Sequence, residues 1–281
     1  MQKIAGVVTV YYPILDELFQ NINSYIDFLD VLFIWDNTPA SESQSLAIKN
    51  QFSNEKVHVI SNGKNEGLAI PFNTCIHKAG ELGCNWLLTM DQDSFFETNQ
   101  FTTFLQLVFE NQLKDIGIYA PQRTGFQTNN KIFTEQKTVI SSGSLYPLDI
   151  FKLGGFREDF FIYMLDIEFC LRIRNQGLRI VTVGNIVLQH HEGHAYKKWG
   201  VTLNNYSATS TYYIIRNNII TWKLYPTAYN IFEKIHFIWY KIIFRILKLL
   251  LEKDRIRKFH AIFLACWHGS LGKTGQLKNS F

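Results

Sequence analysis

The first third of the chain alternates between short apolar runs and segments with helical periodicity. Four apolar runs are typical of buried strands and span residues 4–12, 31–35, 57–60 and 86–90. Between them, apolar residues recur every three or four positions, which predicts helices over 15–29, 41–52 and 68–82. Because strands and helices alternate, we expect an α/β fold with a mostly parallel sheet flanked by helices.

Later segments extend this pattern less regularly. Further helices are predicted over 100–112 and 165–174, and a further strand over 116–120. The polar segment 125–137 is expected to be a loop. The Ser-Ser-Gly-Ser segment at 141–144 is small enough for a ligand to approach the backbone closely, although the same composition is typical of an ordinary turn.

Two carboxylates follow the apolar run at 86–90. Asp91 and Asp93 come at the carboxyl end of the predicted strand, which is the edge where open α/β sheets bind ligands. Neighbouring carboxylates repel each other, and a hard divalent cation such as Mg²⁺ or Mn²⁺ relieves that repulsion and can bridge to phosphates. A strand-ending turn is the alternative, since Asp and Ser are common turn residues. No GxGxxG motif follows the first strand, which argues against a dehydrogenase-type Rossmann domain.

Composition limits the classes of function. The chain has 281 residues and 47% hydrophobic content, which is enough for a folded core and excludes a disordered protein. The four cysteines have no CxxC spacing, so neither a zinc site nor a disulfide framework is indicated, and a reducing cytosol is expected. The apolar run near Met1 lacks a convincing cleavage site and is expected to be a strand, not a signal peptide.

Residues 222–281 carry an excess of positive charge, with 11 Lys and Arg against 3 Asp and Glu. A helix is predicted here, because nearly all other residues over 231–251 are apolar and five charged residues are spaced to fall within a narrow arc of it, namely Lys234, Lys241, Arg245, Lys248 and Glu252. No uncharged stretch is long enough to span a bilayer, so we expect an amphipathic helix on a membrane surface, with packing against protein as the alternative. The chain lacks a nucleic-acid-binding motif, so nucleic acid is not expected as a partner.

Several short motifs, taken in order, resemble the inverting family-two glycosyltransferases, and within them the bacterial rhamnosyltransferases of O-antigen and capsule-type polysaccharides. The matching residues span 4–225 and are Trp35-Asp36-Asn37, Asn65-Glu66-Gly67-Leu68-Ala69 with Asn73, Met90-Asp91-Gln92-Asp93-Ser94, Ser142-Gly143-Ser144, Gly154-Gly155-Phe156, Asp166-Ile167-Glu168, His190 and Tyr213-Ile214-Ile215-Arg216-Asn217. A weaker match at 269–273 resembles the family's closing motif. The Asp-Gln-Asp-Ser form of the acidic motif favours the rhamnosyl subgroup.

The resemblance implies the GT-A fold, with a catalytic domain over 1–225 and a basic amphipathic tail over 226–281. It implies a metal-dependent, inverting transfer of L-rhamnose from dTDP-L-rhamnose to a lipid-linked saccharide. The enzyme would then be cytoplasmic, peripheral on the inner face of the bacterial cell membrane, and could form a homo-oligomer. A UDP-sugar donor and a catalytically silent nucleotide-sugar-binding scaffold are the alternatives.

The resemblance also implies roles for individual residues at the donor. Asp36 would accept a hydrogen bond from the imide nitrogen of thymine or uracil, and the nucleotide would be lined by Asn65, Gly67, Leu68 and Asn73. Asp91 and Asp93 would hold Mg²⁺ or Mn²⁺ against the diphosphate, which neutralises the leaving group. Two further contacts are implied, of the metal with His190 and of a phosphate with Arg216.

On the acceptor side, the resemblance implies a single general base. Asp166 would take the proton of the attacking hydroxyl, and an inverting transfer needs no covalent intermediate. Ser142 and Gly143 would contact the acceptor, whereas Glu168, about 200° further round the helix, is expected to be structural. The sequence departs from the rhamnosyl pattern at Tyr163, where an aspartate is common, and it lacks the Gln-x-x-Arg-Trp motif of processive polymerases.

Overall fold

The computed structural model of the chain describes residues 2–52, 55–123, 131–190, 195–198, 201–204, 206–249, 252, 254–277 and 281, with the backbone alone at 190, 195–198 and 201–204. The chain divides into two compact units. The first unit comprises Met1–Phe156 and Phe169–His191, and the second comprises Arg157–Glu168 and Glu192–Phe281. The boundary therefore falls within one helix, in which Glu168 and Phe169 are neighbours.

The N-terminal half of the first unit forms parallel strands connected by helices. In chain order its elements are β1 (Ile4–Val10), α1 (Leu15–Asn23), a 3₁₀ turn (Ile26–Phe28), β2 (Val31–Asp36), α2 (Ser45–Gln51), β3 (Val57–Ser61), α3 (Ala69–Glu81) and β4 (Trp86–Asp91). β1 pairs in parallel with β2 on one side and with β4 on the other, and β3 pairs in parallel with β2. The alternation of strands and helices predicted for this region is confirmed.

The remainder of the sheet mixes strand directions. Its elements are β5 (Ser94–Phe96), α4 (Gln100–Glu110), β6 (Ile116–Arg123), β7 (Phe133–Glu135), β8 (Ser144–Pro147), a 3₁₀ turn (Leu148–Leu153), α5 (Leu165–Asn175) and β9 (Arg179–His190). The strand order is β3-β2-β1-β4-β8-β6-β9-β5, and β7 also pairs with β9. β8 is antiparallel to both neighbours, β4 and β6, while β6 and β9 are parallel.

The predicted parallel arrangement thus holds for the first four strands, whereas the second half of the sheet is mixed. A parallel neighbour needs a long crossover connection, usually a helix. Between β6 and β8 the described residues contain a strand and loops but no helix, and β8 enters the sheet in the opposite direction. β5 and β7 are likewise antiparallel to β9.

Two of the predicted helices have different boundaries in the structure. The helix predicted over 41–52 begins at Ser45, because the hydroxyls of Ser43 and Ser45 donate to the Asp36 carboxylate at 2.6 and 2.7 Å. The helix predicted over 15–29 ends at Asn23, and the hydroxyl of the next residue, Ser24, donates to the Asn21 carbonyl at 2.6 Å. Short polar side chains that bond to nearby groups compete with helix formation at both places.

The sheet of the first unit is covered on both faces. β1 and β2 are buried at every position along their length. Helices α1 and α4 contribute Leu18, Ile22, Phe101 and Phe104 to the main core cluster. Continuous apolar runs, as opposed to alternating ones, are the pattern that strands buried on both faces require.

The described part of the second unit is mainly helical. Its elements are a 3₁₀ turn (Glu158–Phe160), the first turn of α5, a hairpin of β10 (Ala195–Lys198) and β11 (Val201–Asn204), α6 (Ala208–Leu224), a 3₁₀ turn (Pro226–Ala228), α7 (Ile231–Phe237), a π-helical segment (Ile238–Ile243), α8 (Phe244–Lys248) and α9 (Arg255–Leu271). The helix predicted over 231–251 is therefore interrupted by the π-helical segment. None of the described helices reaches the length and hydropathy that crossing a bilayer requires.

The core of the second unit lies between α6 and α9. It includes Tyr212 and Tyr213 of α6 and Ala261 and Ala265 of α9, all of them buried. Because α6 packs with α9, it belongs to the same compact unit as the tail. The division of the chain into compact units therefore differs from the boundary at residue 225 that the sequence predicts.

A buried ion pair lies in the second unit. Nζ of Lys258 is 2.6 Å from Oε2 of Glu252, and the two side chains are 4% and 2% exposed. The predicted charged stripe placed Glu252 on a polar helix surface, and this placement is wrong. A single buried charge is costly unless an opposite charge compensates it, so each of the two side chains needs the other in order to stay buried.

Removing one partner of this pair is expected to destabilise the protein. We expect Lys258→Met to lower the free energy of unfolding by about 3–5 kcal/mol, because the Glu252 carboxylate is left buried without its counter-charge. Urea unfolding followed by circular dichroism measures the change. Lys273→Met replaces an exposed lysine and serves as the matched control, with an expected change below about 0.5 kcal/mol. Equal, small effects of both substitutions would contradict the prediction.

Candidate active site

Two acidic residues end the strands that flank β1. The sheet register pairs Val10 with Asp36 of β2 and Thr9 with Asp91 of β4. Neighbouring strands lie about 4.8 Å apart, so β2 and β4 are separated by roughly 10 Å across the end of β1. The structure thus brings Asp36 and Asp91 to the carboxyl edge of the parallel strands, where open α/β sheets bind ligands.

Asp36 is fully buried, and its carboxylate is held by three donors. The N–H of Thr38 donates to Oδ1 at 2.9 Å, and the hydroxyls of Ser43 and Ser45 donate to Oδ2 at 2.6 and 2.7 Å. Burial raises the pKa of Asp36, but the hydrogen bonds from Ser43, Thr38 and Ser45 outweigh it and lower the pKa below its ordinary value. Asp36 is therefore ionised at neutral pH, and Oδ1 can accept one further hydrogen bond.

The loop that follows β3 is tied to the end of β2 by Asn37. Its Nδ2 donates to the carbonyl of Gly67 at 2.6 Å, and its Oδ1 accepts from the N–H of Glu66 at 3.1 Å. The side chain of Asn65 accepts from the N–H of Gly67 at 2.9 Å, and Gly67 has a φ of 75°. These bonds place Asn65 and Gly67, and Leu68 after them, beside the end of β2.

The sequence pattern assigned no role to Asn37, whose side chain holds the loop after β3 in the structure. The one feature of the sequence that could have indicated this role is the position of Asn37 directly after Asp36, which ends β2. Both of its bonds reach residues about 30 positions away along the chain, with sequence separations of 30 and 29. Such partners cannot be identified without the fold.

Ser142 supports the acidic motif from the neighbouring strand connection. Its Oγ accepts from the N–H of Asp91 at 3.0 Å and donates to Oγ of Ser94 at 2.9 Å. The side chain is 1% exposed. The hydroxyl of Ser142 is therefore engaged in holding both ends of the Asp91–Ser94 segment, and the structure does not direct it to an acceptor sugar.

Gly143 stands where a side chain would not fit. Its φ is 77°, in the left-handed region, and an added Cβ would lie 2.7 Å from Cγ of Pro121. Its N–H donates to the carbonyl of Thr89 at 2.8 Å, which fixes the turn to β4. The requirement for glycine here comes from the close packing of the turn against β6.

Gln92, the central residue of the acidic motif, holds the loop after β1. Its Oε1 accepts from the N–H of Tyr11 at 2.8 Å, and its Nε2 donates to the carbonyl of the same residue at 3.3 Å. Its own carbonyl accepts from the side chain of Asn21 at 2.9 Å. Gln92 is a second residue whose role was not predicted, and it links the acidic motif to the carboxyl end of β1.

Asn73 uses both ends of its amide on the backbone of Phe156. Nδ2 donates to the carbonyl at 2.8 Å, and Oδ1 accepts from the N–H at 2.8 Å. The preceding residue is Gly155, where a Cβ would come within 2.3 Å of Oδ1 of Asn73. The described contacts of Asn73 thus join α3 to the Gly154-Gly155-Phe156 motif. A substitution of Asn73 would therefore change nucleotide binding by displacing this motif.

The acidic pair has the chemistry of a site for a hard cation. Asp91 is half-buried, and Oδ1 of Asp93 is a buried carboxylate oxygen. Burial, and then the negative charge of Asp91, raise the pKa of Tyr25, so a neutral phenol lies near this carboxylate. Two carboxylates separated by one residue supply the oxygen ligands that Mg²⁺ and Mn²⁺ take, and the residues present therefore fit such an ion.

The predicted contact of His190 with a cation lies outside the described residues. The backbone of His190 pairs with Ser94, next to the acidic motif, but its side chain, His191 and His194 are outside the described residues. In the described part of the chain, no group of three or more His, Cys, Asp or Glu residues lies together as a cation site. The fit to a cation thus depends on Asp91 and Asp93.

Asp166, the predicted general base, lies in the second unit, in the first turn of α5. Its Oδ1 accepts from the N–H of Ile167 at 2.8 Å. The positive end of the helix dipole favours a negative charge at this position. Glu168 is 1% exposed and accepts from the hydroxyl of Tyr225 at 2.6 Å, in agreement with its predicted structural role.

The placement of Arg216 corrects the predicted phosphate contact. Its side chain is 1% exposed. Its N–H groups donate to five acceptors, which are Oδ1 of Asn217, the hydroxyl of Tyr212 and the carbonyls of Gly275, Asp159 and Phe160. A guanidinium has five N–H donors, so none is left for a phosphate. Arg216 instead connects separate segments within the second unit.

Comparison with known proteins identifies the family of the chain. The family Glycosyl transferase family 2 matches residues 8–176 of the chain. The dTDP-rhamnosyl transferase RfbF of Shigella flexneri is 26% identical over 295 residues, and the alignment covers 97% of this chain and 97% of that protein. The likeness to RfbF thus extends over nearly the whole length of both proteins.

Solved structures share the fold at low sequence identity. GalNAc-T7 with UDP, GalNAc and Mn²⁺ has a TM-score of 0.59 and 13% identity, and the match covers 79% of this chain and 48% of that one. S. aureus TarS 1–349 in complex with UDP-GlcNAc has a TM-score of 0.55 and 13% identity, covering 97% and 93%. The family match covers more than half of the chain. The chain therefore belongs to glycosyl transferase family 2 and is a glycosyltransferase with the GT-A fold.

Proposed function

We propose that the enzyme transfers L-rhamnose from dTDP-L-rhamnose, with inversion, to a lipid-linked saccharide during the synthesis of a cell-surface polysaccharide. The observation that carries this proposal is the placement of Asp36 and the Asp91–Asp93 pair on either side of the end of β1. Asp36 can accept a hydrogen bond from a pyrimidine base, and Asp91 with Asp93 can bind a cation that holds the diphosphate. The full-length likeness to a dTDP-rhamnosyl transferase supports the choice of donor.

Asp36 would recognise the base of the nucleotide. Its lowered pKa keeps it ionised, so it can only accept hydrogen bonds, and the imide N–H of thymine or uracil is a donor. Cytosine has no such donor and would be rejected. Asn37 holds Asn65, Gly67 and Leu68 beside this position, where the polypeptide would line the nucleotide. Because thymine and uracil share the imide, Asp36 does not choose between dTDP and UDP.

Asp91 and Asp93, with His190 as a further ligand, would hold Mg²⁺ or Mn²⁺ beside the diphosphate. The ion supplies positive charge that stabilises the departing nucleoside diphosphate. Ser142 and Gln92 keep the acidic segment in place through their bonds to Asp91 and Tyr11. The hydroxyl of Ser142 already bonds to Asp91 and Ser94. If the acceptor contacts the turn at Ser142 and Gly143, it would therefore bind main-chain groups.

Asp166 would act as the general base. It would accept the proton of the acceptor hydroxyl while that oxygen forms its bond to the anomeric carbon and the bond from this carbon to the diphosphate oxygen breaks. The products are the glycosylated acceptor and dTDP. One displacement gives inversion, and no covalent intermediate on the enzyme is needed.

Calorimetric titration of the purified protein tests the donor. dTDP-rhamnose, UDP-glucose, UDP-galactose and UDP-N-acetylglucosamine are each titrated with Mn²⁺ and with EDTA. Metal-dependent binding of dTDP-rhamnose alone is the expected result. Preference for a UDP-sugar, which the UDP complexes of GalNAc-T7 and TarS make the leading alternative, would overturn the rhamnosyl assignment. Binding of none of the four would also overturn the rhamnosyl assignment.

A membrane surface is the proposed partner of the tail. Two helical stretches in the second unit expose many apolar side chains, among them Ile231, Phe232, Ile235, Trp239 and Leu247 in the first and Ile256, Phe259, Phe263, Trp267 and Leu271 in α9. Exposed cations at Lys241, Arg255 and Arg257 accompany them. Apolar and aromatic faces with nearby cations suit a bilayer with anionic headgroups. Peripheral attachment at the inner face of the bacterial membrane would bring the enzyme to a lipid-linked acceptor.

The basic stripe predicted for this tail differs in the structure. Arg245 is half-buried, donates to Oγ1 of Thr211 at 2.6 Å and stacks on Tyr206. Burial lowers the pKa of Arg245 and outweighs the nearby charge of Glu252, which raises it. Arg245 therefore faces α6 and does not belong to an exposed basic stripe.

Removal of two aromatic rings from α9 tests the membrane contact. We expect Phe263→Ser combined with Trp267→Ser to weaken binding to phosphatidylglycerol vesicles by about tenfold or more, because both rings leave the acyl boundary. Sedimentation with vesicles measures this. Leu46→Ser, at a 72% exposed leucine of α2 in the first unit, is the control and should bind as the wild type does. The proposal would be contradicted if the wild-type protein does not bind anionic vesicles but dimerises through these apolar side chains. They would then be the contact surface for a second copy of the chain.

A further inference from the structure

The segment that leads into Asp166 has an unusual backbone. Phe161, Tyr163 and Met164 have φ angles of 65°, 61° and 65°. Left-handed conformations are rare for residues other than glycine, and bulky side chains adopt them only when the surroundings require it. Three such residues within four positions therefore indicate that something holds this segment in place.

The first of these residues forms a three-residue turn. Phe161 has φ 65° and ψ −72°, and the N–H of Ile162 donates to the carbonyl of Phe160 at 2.9 Å. This is a γ-turn of the rare, strained hand. α5 then starts at once, since the N–H of Glu168 donates to the carbonyl of Met164 at 2.8 Å. The turn thus determines where the helix begins and where Asp166 lies.

Asn217 of α6 binds this turn through its side chain. Its Nδ2 donates to the carbonyls of Phe160, Ile162 and Tyr163 at 3.0, 2.9 and 2.9 Å. The side chain is fully buried. Both amide hydrogens are therefore directed at the strained segment, and one side chain donates to three of its carbonyls.

Arg216 fixes the orientation of that amide. Its Nε donates to Oδ1 of Asn217 at 2.8 Å, and its Nη2 donates to the carbonyls of Phe160 and Asp159 at 3.2 and 3.4 Å. A guanidinium can only donate, so the oxygen of the amide must face Arg216 and the nitrogen must face the turn. The two residues act as one unit on residues 159–163.

The next residue on α6 provides a direct contrast. Asn218 donates its Nδ2 to the carbonyl of Ile214 at 2.9 Å, four residues earlier in its own helix. Its bond is local and could form in an isolated helix. The bonds of Asn217 span sequence separations of 54 to 57, so they serve the tertiary position of the turn.

From these contacts we infer that Asn217, oriented by Arg216, is a positioning residue that sets the place of the Asp166 carboxylate. This inference rests on the proposed role of Asp166 as general base. Asn217 touches neither substrate nor reacting atoms, and it acts through the turn. Loss of its amide releases residues 160–164 towards right-handed conformations and moves the start of α5 with them.

Three measurements on the whole 281-residue chain test the inference. Turnover is followed as dTDP release from dTDP-rhamnose, with a solvent extract of bacterial envelope lipids as the acceptor source, and dTDP affinity is measured by calorimetry. Asn217→Ala is expected to lower kcat about 10- to 100-fold, the cost of a misplaced catalytic group, with dTDP affinity within about twofold of the wild type. Asn218→Ala should leave both unchanged. Amide hydrogen exchange of residues 160–167 should be faster in Asn217→Ala alone.

Asn217→Asp gives a second variant in case alanine leaves a cavity that prevents folding. Aspartate keeps the volume and the bond from Arg216, but it removes both hydrogens that face the turn. It should show the same loss of kcat. If Asn217→Ala or Asn217→Asp turns over and exchanges as Asn218→Ala does, the inference is overturned. If Asp166→Asn retains full turnover, the base assignment fails, and the exchange measurement still decides whether Asn217 holds the turn.

Discussion

Replacing Asp166 with asparagine is expected to lower sugar transfer by about 1000-fold while the donor still binds. General base catalysis contributes on the order of 10²- to 10⁴-fold, and the amide of asparagine cannot take the proton of the acceptor hydroxyl. Asparagine has nearly the same shape, so it can still accept the 2.8 Å bond from the N–H of Ile167. Initial rates of dTDP release, with calorimetric titration of dTDP-rhamnose, measure the two quantities separately.

A matched control for this substitution is Asp254→Asn. Asp254 is an exposed carboxylate of the second unit with a φ of 55°, a conformation that asparagine also adopts readily. We expect it to transfer sugar as the wild type does. If Asp166→Asn retains more than about a tenth of the wild-type rate, another group takes the proton and the base must be sought elsewhere. If it loses donor binding as well, Asp166 has a structural role at the site.

Replacing Asp91 or Asp93 with asparagine is expected to remove the metal dependence of donor binding. With Mn²⁺ present, the affinity of each variant for dTDP-rhamnose should fall to that of the wild type in EDTA, since one oxygen ligand of the cation loses its charge. Turnover should fall on the order of 100-fold or more, because the charge of the departing diphosphate is less well neutralised. Calorimetry with and without Mn²⁺, followed by rate measurements, tests both effects.

Asp149→Asn is the control for the acidic pair. Asp149 is a carboxylate of the first unit whose side chain is 84% exposed and pairs with Lys152 on the surface. It should keep the donor affinity and metal response of the wild type. If Asp91→Asn binds the donor equally well in Mn²⁺ and as tightly as the wild type, the acidic pair is a strand-ending turn and the metal proposal fails. Thermal unfolding of each variant separates these outcomes from loss of fold.

The positions of Asp36 and Asp91 could be predicted because each directly follows an apolar strand. In a parallel α/β sheet such residues must reach the same edge, and the register confirms this for both. The same local pattern could not reveal that Asn37 and Gln92 hold the neighbouring loops. Their partners, Gly67 and Tyr11, lie 30 and 81 residues away in the sequence.

Arg216 shows the limit of inference from a motif. Its place beside Asn217 in a family motif and its charge suggested a phosphate contact, since arginine commonly binds phosphate. In the structure its donors all bond within the second unit, to groups as distant as the carbonyl of Gly275. Burial and hydrogen-bond saturation decide the role of such a residue, and neither can be read from its neighbours in the chain.

The sequence by itself determined the alternation of strands and helices in the first half, the acidic residues at the strand ends and the apolar character of the tail. These depend on the period of hydrophobic positions and on which residue follows which, and both are local properties. Tertiary structure alone decided that β8 inserts antiparallel between β4 and β6. It also decided that Glu252 is buried with Lys258, and that Asn217 holds the turn before Asp166. Each of these depends on the burial of a group or on a partner brought near by folding, and the free energy of such contacts exists only once the chain has packed.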